Sequence, residues 1–428
     1  MTRFLHFADC HLGYKQYNHK ERFNDFARAF LDVIDRAIDA QVDFVILAGD
    51  LFQKRAIDAL TLNQAMVGLE RLERAAIPCI AVEGNHEHAY YQDAVGWMEF
   101  LAQRRLLILL DAEFADGAPL LTPYSATRRR GAYIDPVPGV RVYGMRYYGA
   151  GTPAAVEAYA AALREQPSVQ ENGDPVDYTI FIAHGGVEGV LADEAGGLSV
   201  RQWSALKPYV DYLALGHIHK PYQFDDWIFN PGSTETCSIS EAEWRERGYY
   251  LVEIDPADAD ERRHAVTLHA NRRRPFFRFS YKVDHDQSPT ELESKAGEFL
   301  LRKARDLRVD RLADDARPVV DLQLTGVLPF DRGALRLDLL ETMAWDAFNP
   351  LHVLIKNHTR SAEFAIDADE TLSRTQLERR VLADLLARDQ RFAGKSDDWA
   401  RLAVTLKQMA LTGAGADAVL EEISGAIQ

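Results

Sequence analysis

Five short apolar segments of the sequence end in residue types that bind metal ions. The strings are "ADCH" (8–11), "AGD" (48–50), "GNH" (84–86), "AHG" (183–185) and "GHIH" (216–219). Any one of them alone is unremarkable, since "GD" and "GN" are ordinary turn signals and a single histidine after a strand is more often a structural residue than a ligand. Five such endings in one chain indicate a common binding site.

Seven side chains are the candidate ligands at these endings. If the apolar segments are strands of an open α/β sheet, their carboxyl ends meet at one edge, where ligands gather. Residues two apart lie on the same side of an extended segment, so two of the endings can each supply a pair of ligands. The candidates are Asp9, His11, Asp50, Asn85, His184, His217 and His219.

The chemistry of this set predicts metal binding. Carboxylate, imidazole and amide ligands without a thiolate suit Mn²⁺, Fe, Zn²⁺ or Mg²⁺. Seven candidates exceed the ordinary coordination number of one ion, so the sequence predicts two divalent metal ions.

The elements around the endings predict an α/β domain. Apolar strand-like segments at 3–8, 42–48, 78–83, 140–145, 178–183 and 211–216 alternate with helical patterns at 24–40 and 59–75. From Gly248 the order of strand and helix patterns changes, which predicts a smaller α+β domain. After about Ile366 only helical patterns remain, including apolar stripes at Leu377, Val381 and Leu385 and at Trp399, Leu402, Leu406 and Met409. We therefore expect domains at 1–245 and 246–365 and a helical tail at 366–428.

Composition excludes some classes of protein. A formal net charge of −16 argues against coating nucleic acid by charge alone. No apolar run resembles a membrane span or a signal-peptide core, so we expect a cytoplasmic protein with no membrane partner. The cysteines Cys10, Cys79 and Cys237 lie far apart without a CxxC pair, which favours small packed residues over a disulfide framework or a cysteine zinc site.

Contacts with a polyanion must therefore be local, and two basic clusters are candidates. One is a run of three arginines, and the other is a basic and aromatic stretch at 266–283 without acidic residues. Solvated surface arginines explain both clusters equally well. The candidate DNA-binding residues are Arg128, Arg129, Arg130, Arg272, Arg273, Arg274, Arg278 and Lys282.

The series "DCH", "GDLF", "GNHE", "AHGG" and "GHIH" resembles the calcineurin-like metallophosphoesterase superfamily. With "HLG" at 11–13 and "NPGSTE" at 230–235, it is most similar to the Mre11/SbcD-type DNA repair nucleases, over roughly the first 245 residues. The resemblance implies a metallophosphoesterase β-sandwich flanked by helices, a DNA-facing α+β capping domain, and a helical tail that docks on a Rad50/SbcC-type coiled-coil ATPase. It assigns one ion to Asp9, His11, Asp50 and His219, the other to Asp50, Asn85, His184 and His217, and catalysis to His86.

The same resemblance implies a manganese-dependent exonuclease or endonuclease that acts on DNA double-strand ends in break repair, with Mg²⁺, Fe or Zn²⁺ as alternative ions. A hydroxide activated by two metals would attack the phosphodiester, and His86 would give a proton to the departing sugar oxygen. The resemblance also implies a homodimer, because family members commonly dimerise. The helical segment 92–105 offers an apolar face for dimerisation, with core packing as the alternative.

Two other functions stay open at this point. Glu87 in "GNHE" also occurs in serine/threonine phosphoprotein phosphatases, but "GDLFQKR" at 49–55 lacks the arginine of their "GDxVDRG" motif. Gln53 stands where some relatives carry a second histidine on the substrate side. A DNA-binding scaffold with secondary nuclease activity is the remaining alternative.

Overall fold

A computed structural model describes residues 1–87, 95–170, 173–191, 197–255, 263–283, 286–361, 373–387, 392–412 and 414–427. The chain forms two compact units. Unit 1 comprises Met1–Phe279, Arg308–Asp321 and Phe348–Leu354, and unit 2 comprises Ser280–Leu307, Leu322–Ala347 and Ile355–Gln428. No helix within the described ranges is both long enough and apolar enough to cross a membrane.

The strands, in chain order, are β1 (Thr2–Phe7), β2 (Phe44–Leu47), β3 (Cys79–Ala81), β4 (Ile108–Leu109), β5 (Glu113–Ala115), β6 (Ala118–Leu120), β7 (Tyr133–Val137), β8 (Val140–Met145), β9 (Tyr178–His184), β10 (Tyr212–Gly216), β11 (Tyr222–Phe224), β12 (Ile228–Asn230), β13 (Gly248–Ile254), β14 (His264–Ala270), β15 (Phe276–Lys282), β16 (Val319–Thr325), β17 (Val327–Leu328), β18 (His352–Asn357) and β19 (Arg360–Ser361). The helices are α1 (Lys20–Asp39), α2 (Ala59–Arg74), α3 (Trp97–Gln103), α4 (Thr152–Arg164), α5 (Val200–Trp203), α6 (Pro289–Asp306), α7 (Leu337–Phe348), α8 (Arg374–Ala387), α9 (Ser396–Leu411) and α10 (Ala416–Ile427).

Unit 1 is a sandwich of two six-stranded sheets, with the orders β14-β13-β1-β2-β3-β4 and β11-β12-β10-β9-β8-β7. Strands β1, β2, β3 and β4 are parallel to one another, as are β8, β9, β10 and β12. A fully buried apolar cluster with members from both sheets, among them Phe4, Ile46, Ile180 and Phe229, forms the core between them. Parallel strands buried on both faces are expected to be almost continuously apolar, as these segments are.

Helices cover the outer faces of both sheets. Phe30, Val33 and Ile34 of α1 lie in the cluster under the first sheet, at the three- and four-residue spacing of an amphipathic helix. On the second sheet, α4 buries Val156 and Tyr159 in a separate cluster. Mixed α/β sheets flanked by helices confirm the fold class expected from the sequence.

Helix α3 buries the apolar face that the sequence offered for dimerisation. Met98, Leu101 and Ala102 belong to the core of the first sheet, and the Trp97 indole donates a hydrogen bond to the Arg55 carbonyl at 2.8 Å. The part of the segment 92–105 before Val95 lies outside the described residues. Core packing therefore explains this face without a second subunit.

Two strands beyond residue 245 belong to the first sheet. Strand β13 pairs antiparallel with β1, from Thr2 opposite Ile254 to His6 opposite Tyr250, and β14 extends the sheet further. The compact units accordingly divide the chain first at Phe279. The boundary that we expected at 245 precedes these strands because the change in sequence pattern does not show which strand pairs with which.

Unit 2 contains helices from all three of its chain segments: α6, most of α7, and α8, α9 and α10. Leu292, Ala296 and Leu300 form the buried stripe of α6, whose N-terminal residue Ser288 accepts a hydrogen bond from the Glu291 amide. Strands β15, β16 and β18 form a three-stranded sheet. The helical tail consists of α8, α9 and α10, and the expected start of that tail at Ile366 lies outside the described residues.

Candidate metal centre

The carboxyl ends of five parallel strands bring all seven candidate ligands of unit 1 together. Strands β1, β2 and β3 run towards this edge in one sheet, and β9 and β10 do so in the other. The strands end at Phe7, Leu47, Ala81, His184 and Gly216, so each candidate lies at or just beyond a strand end.

One part of the site is built around Asn85. The Asn85 Oδ1 atom lies 2.9 Å from His184 Nε2 and 3.0 Å from His217 Nδ1. The Asp50 Oδ2 atom lies 3.4 Å from the same His184 Nε2. The opposite nitrogen of His184 donates to the Ala48 carbonyl at 2.8 Å, which directs Nε2 into the site.

The other part of the site is built around His11 and His219. Their Nε2 atoms lie 3.0 Å apart, and His11 Nε2 lies 3.9 Å from Asp50 Oδ2. Asp9, Asp50 and His184 place one ligand atom each within 4.8 Å of one another. Asp9 also accepts the His217 amide hydrogen at 3.0 Å and 3.1 Å through its two oxygens. Asp50 therefore contacts both halves of the site.

An unusual backbone conformation sets the direction of four of the candidate ligand side chains. Asp9, His11, Asp50 and His217 have positive φ angles of 53°, 49°, 53° and 84°, a region that residues other than glycine rarely adopt. Such residues cost about 1–3 kcal/mol each and cluster at functional sites. Gly84 is required by close approach, because a Cβ atom at this position would lie 2.1 Å from Asp50 Oδ1.

Two glutamates hold the site in place, and the sequence did not identify either role. The buried Glu87 carboxylate accepts backbone hydrogens from Asp50 at 3.1 Å, Phe52 at 3.0 Å and Gly84 at 2.9 Å, which ties two of the strand ends together. Glu241 accepts from His219 Nδ1 at 2.8 Å and leaves Nε2 facing His11. A carboxylate behind a histidine in this way fixes its tautomer and raises its basicity as a metal ligand. "GNHE" contains a signal for Glu87, whereas Glu241 has none.

The pKa values of the candidate ligands shift in different directions, according to whether burial or a neighbouring charge has the larger effect. Burial alone would raise the pKa of Asp50, but His184 and His11 outweigh it and the pKa of Asp50 lies well below its usual value. Burial opposes protonation of His184 as well, yet the Asp50 and Asp9 carboxylates raise its pKa to about 9. Burial lowers the pKa of His217 to about 4 and raises the pKa of Asp9 to about 6.

These residues fit divalent cations. Asp9 and Asp50 are buried carboxylates, and within the described ranges the ion-pair partners of Asp50 are histidines: His11, His86 and His184. The buried His11 Nδ1 atom has no hydrogen-bond partner among the described residues. Buried carboxylates need a compensating positive charge, and neutral imidazoles with carboxylate and amide oxygens can coordinate it.

His86 lies at the rim of the site, with its side chain 32% exposed. Its backbone N–H donates to Asp50 Oδ1 at 3.0 Å, and its Nδ1 donates to the Gln53 carbonyl. This arrangement leaves Nε2, 3.9 Å from Asp50 Oδ2, as the atom available to a substrate. Gln53 therefore acts here through its backbone. His88, a further histidine of this loop, lies outside the described residues.

The cysteines differ in their surroundings. Cys10 and Cys79 are buried in the core under the first sheet, as expected of packed residues. Cys237 is half-buried, and its Sγ lies within 4.8 Å of a ring nitrogen of His11 and of a ring nitrogen of His219. A thiol therefore lies beside the candidate ligands, which the spacing of the cysteines in the sequence did not indicate.

The candidate DNA-binding residues fall into two groups. The guanidinium group of Arg274 pairs with Asp25 at 2.6 Å in the interior, and Arg273 donates to the backbone carbonyls of Arg245 and Arg247, so both arginines are engaged within the fold. Arg130 pairs with Glu99 at 3.2 Å, and Arg278 pairs with Glu243 at 3.0 Å. Arg129 is half-buried with a φ of 57°. Arg128, Arg272 and Lys282 are exposed.

Comparison with known proteins identifies the family. The calcineurin-like phosphoesterase family matches residues 2–221. Proteins named DNA double-strand break repair protein Mre11 are similar: that of Haloferax volcanii is 29% identical over 71% of this chain and 60% of its own length. That of Archaeoglobus fulgidus is 31% identical over 56% and 52%. That of Halobacterium salinarum is 29% identical over 78% and 76%. The chain thus spans little more than half the length of the first two.

Solved structures show a more distant likeness. The calcineurin-like phosphoesterase YfkN from Bacillus subtilis is 14% identical, with a TM-score of 0.36 over 62% of this chain and 90% of its own. A dimetal phosphatase from Danio rerio is 13% identical, with a TM-score of 0.36 over 59% and 92%. The family match covers more than half of the 428 residues and includes all seven candidate ligands, so this chain belongs to the calcineurin-like phosphoesterase family.

Proposed function

We propose that this protein is a metal-dependent nuclease that hydrolyses phosphodiester bonds of DNA, with double-strand ends as substrate. The observation that carries the proposal is the convergence of seven ligand-type side chains and His86 at the strand ends of a phosphoesterase. The similarity to proteins named DNA double-strand break repair protein Mre11 supports DNA as the substrate.

The residues have separate roles in this proposal. Asp9, His11, Asp50 and His219 would hold one divalent ion, and Asp50, Asn85, His184 and His217 the other. The contacts of Asp50 with His11 at 3.9 Å and with His184 at 3.4 Å support its role as the shared ligand. We propose Mn²⁺, with Mg²⁺, Fe and Zn²⁺ as alternatives. When bound, such ions lower the pKa of water and neutralise phosphate oxygens.

His86 handles the leaving group. With Nδ1–H donated to the Gln53 carbonyl, a protonated His86 carries its second proton on Nε2, on the exposed side of the site. From there it can donate to the sugar oxygen as the phosphodiester bond breaks, which is general acid catalysis. Its backbone N–H and the three hydrogen bonds of Glu87 keep the ligand loops in position during the reaction.

Glu87 does not favour the phosphatase alternative. Its carboxylate is buried and accepts three backbone hydrogens, so the feature shared with the phosphoprotein phosphatases is a structural support. At the position where the "GDxVDRG" motif has its phosphate-binding arginine, "GDLFQKR" has Lys54. Phosphodiester hydrolysis is therefore the better supported reaction.

Partners and location belong to the same proposal. The residues we propose for contacts with the phosphate backbone are the exposed Arg128, Arg272 and Lys282, together with the half-buried Arg129. Arg130 and Arg278 would join them by exchanging their acidic partners Glu99 and Glu243 for phosphates. The tail α8, α9 and α10 would dock on a Rad50/SbcC-type coiled-coil ATPase, and a homodimer would present two sites to one DNA. We also propose a cytoplasmic location.

The test uses purified protein and linear double-stranded DNA labelled at its ends. We expect Mn²⁺ to support degradation and a chelator to abolish it, while a linear phosphodiester substrate is cleaved faster than the corresponding monoester and faster than a phosphopeptide. Faster monoester hydrolysis would support the phosphatase alternative. DNA binding without metal-dependent cleavage, under conditions where both ions are bound, would support the scaffold alternative.

A further inference from the structure

Cys237 lies beside two proposed metal ligands without belonging to the proposed ligand set. The Cys237 Sγ atom, one ring nitrogen of His11 and one ring nitrogen of His219 all lie within 4.8 Å of one another. A tetrahedral zinc site with bonds of about 2.3 Å to sulfur and 2.0–2.1 Å to nitrogen holds such atoms roughly 3.5 Å apart. Modest side-chain rotations would therefore complete a site of two nitrogens and one sulfur.

One carboxylate fixes two of these donors relative to each other. Glu241 Oε1 accepts from His219 Nδ1 at 2.8 Å, and Glu241 Oε2 accepts from the Cys237 amide at 2.9 Å. The Cys237 carbonyl in turn accepts from Gln16 Nε2 at 2.8 Å. The backbone of Cys237 is thus anchored on both sides, while its Sγ lies 3.7 Å from the Glu235 carbonyl and interacts with the His219 side chain. Preorganised support of this kind is what a ligand position requires.

The third donor is also available for coordination. His11 is 3% exposed, and its Nδ1 atom has no hydrogen-bond partner among the described residues. Its Nε2 atom faces His219 Nε2 at 3.0 Å. The Nε2 atom, which also lies 3.9 Å from Asp50 Oδ2, is the His11 nitrogen that faces the other proposed ligands.

We propose that Cys237 is a thiolate ligand for a thiophilic divalent ion, such as Zn²⁺ or Cd²⁺, that His11 and His219 hold with it. The thiol releases its proton to solvent when the ion binds. Sulfur selects soft ions, whereas Mn²⁺ prefers oxygen ligands, so Cys237 changes which ion this side of the centre prefers. The inference rests on the proposed metal centre, because His11 and His219 belong to both ligand sets.

The first experiment titrates metal-free protein with Co²⁺, whose absorption spectrum distinguishes thiolate ligands by a near-ultraviolet charge-transfer band. We expect the band in the unmodified protein and in Cys79→Ala, which removes a buried cysteine outside the site, and its loss in Cys237→Ala and Cys237→Ser. Changes behind a metal ligand already cost 10–100-fold in affinity, so loss of the thiolate should weaken Cd²⁺ binding relative to Mn²⁺ by about tenfold or more.

The outcomes separate this inference from the metal centre itself. Co²⁺ binding with visible bands but without the thiolate band would overturn the role of Cys237 and leave the proposed centre intact. Failure of the unmodified protein to bind Co²⁺, Cd²⁺ or Mn²⁺ would overturn both.

A second experiment needs no variant. Alkylation of the native protein, followed by mass spectrometry, measures the reactivity of Cys237, with the buried Cys10 and Cys79 as internal controls. We expect Zn²⁺ or Cd²⁺ to protect Cys237 from alkylation and Mn²⁺ to leave its reactivity nearly unchanged. Equal protection by Mn²⁺ and Zn²⁺ would mean that any bound ion shields the thiol, and would refute coordination by sulfur.

Discussion

Replacement of His86 by alanine separates catalysis from metal binding. The backbone N–H of residue 86 donates to Asp50 Oδ1 at 3.0 Å, and alanine keeps this bond. The hydrogen bonds of Glu87 to the Asp50, Phe52 and Gly84 amides do not involve the His86 side chain. The ring is at the rim, 32% exposed, so its loss leaves no large buried cavity. We therefore expect His86→Ala to fold and to retain both ions.

The expected loss of activity is large. A positioned general acid contributes typically 10²–10⁴-fold to the rate, which corresponds to about 2.7–5.4 kcal/mol of activation free energy at about 1.36 kcal/mol per factor of ten. The loss should depend on the leaving group. A nitrophenolate departs without protonation, so a bis-nitrophenyl phosphodiester should be hydrolysed by His86→Ala far closer to the normal rate than DNA is.

The assay compares DNA degradation and nitrophenyl release for His86→Ala, the unmodified protein and the exposed-histidine control His358→Ala, each with its metal content measured. Equal losses on both substrates, with both ions retained, would show that His86 stabilises charge on the phosphate instead of protonating the leaving group. DNA cleavage by His86→Ala at a rate close to that of the unmodified protein would refute any catalytic role, and loss of the ions would make His86 a support of the centre.

Four further predictions test the centre and its surroundings. Asp50→Asn should lose both ions and all detectable hydrolysis, because a neutral amide cannot balance two dications. Two tightly bound ions in elemental analysis of this variant would contradict the assignment of Asp50 as the shared ligand. Glu241→Gln should weaken metal binding by about 10–100-fold through His219, measured by competition with a chelator, and unchanged affinity would show that the pair has no influence on the ion. Burial raises the pKa of Glu83 to about 7, so the contribution of this group to stability is complete below about pH 4.5 and is lost as the pH rises through about 7. Glu83→Gln should therefore raise the melting temperature at pH 8 more than at pH 5. An equal shift at both pH values would refute this linkage. Truncation after Ala365 should keep metal-dependent cleavage but abolish co-purification with a coiled-coil ATPase, whereas an insoluble product would show that the tail belongs to the core.

Much of the fold was predictable from local pattern. The six strand-like segments of the first half correspond to β1, β2, β3, β8, β9 and β10, and the two helical patterns between them correspond to α1 and α2. Buried parallel strands appear in the sequence as short continuous apolar runs, and amphipathic helices appear as apolar residues three or four positions apart. Short strands such as β4, β11 and β12 were not predicted, because two or three residues are too few to show a period.

The placement of the candidate ligands was predictable for the same reason. Each one follows an apolar segment, and parallel strands in a sheet end at a common edge, so Asp50, Asn85 and His184 meet although they are far apart along the chain. The strand-end rule depends only on local sequence and on the geometry of α/β sheets.

Tertiary structure alone decided which polar groups pair. Arg274 and Asp25 are 249 residues apart and form a buried ion pair, which removes Arg274 from the exposed basic surface. Glu241 reaches His219, and Cys237 comes to lie beside His11, through chain turns that carry no motif. Hydrophobic periodicity is a local property of the sequence, and a few neighbouring residues are enough to recognise it. The partner of a charge, or the neighbours of a thiol, depend on which distant segments the packed core brings together, so only the folded protein determines them.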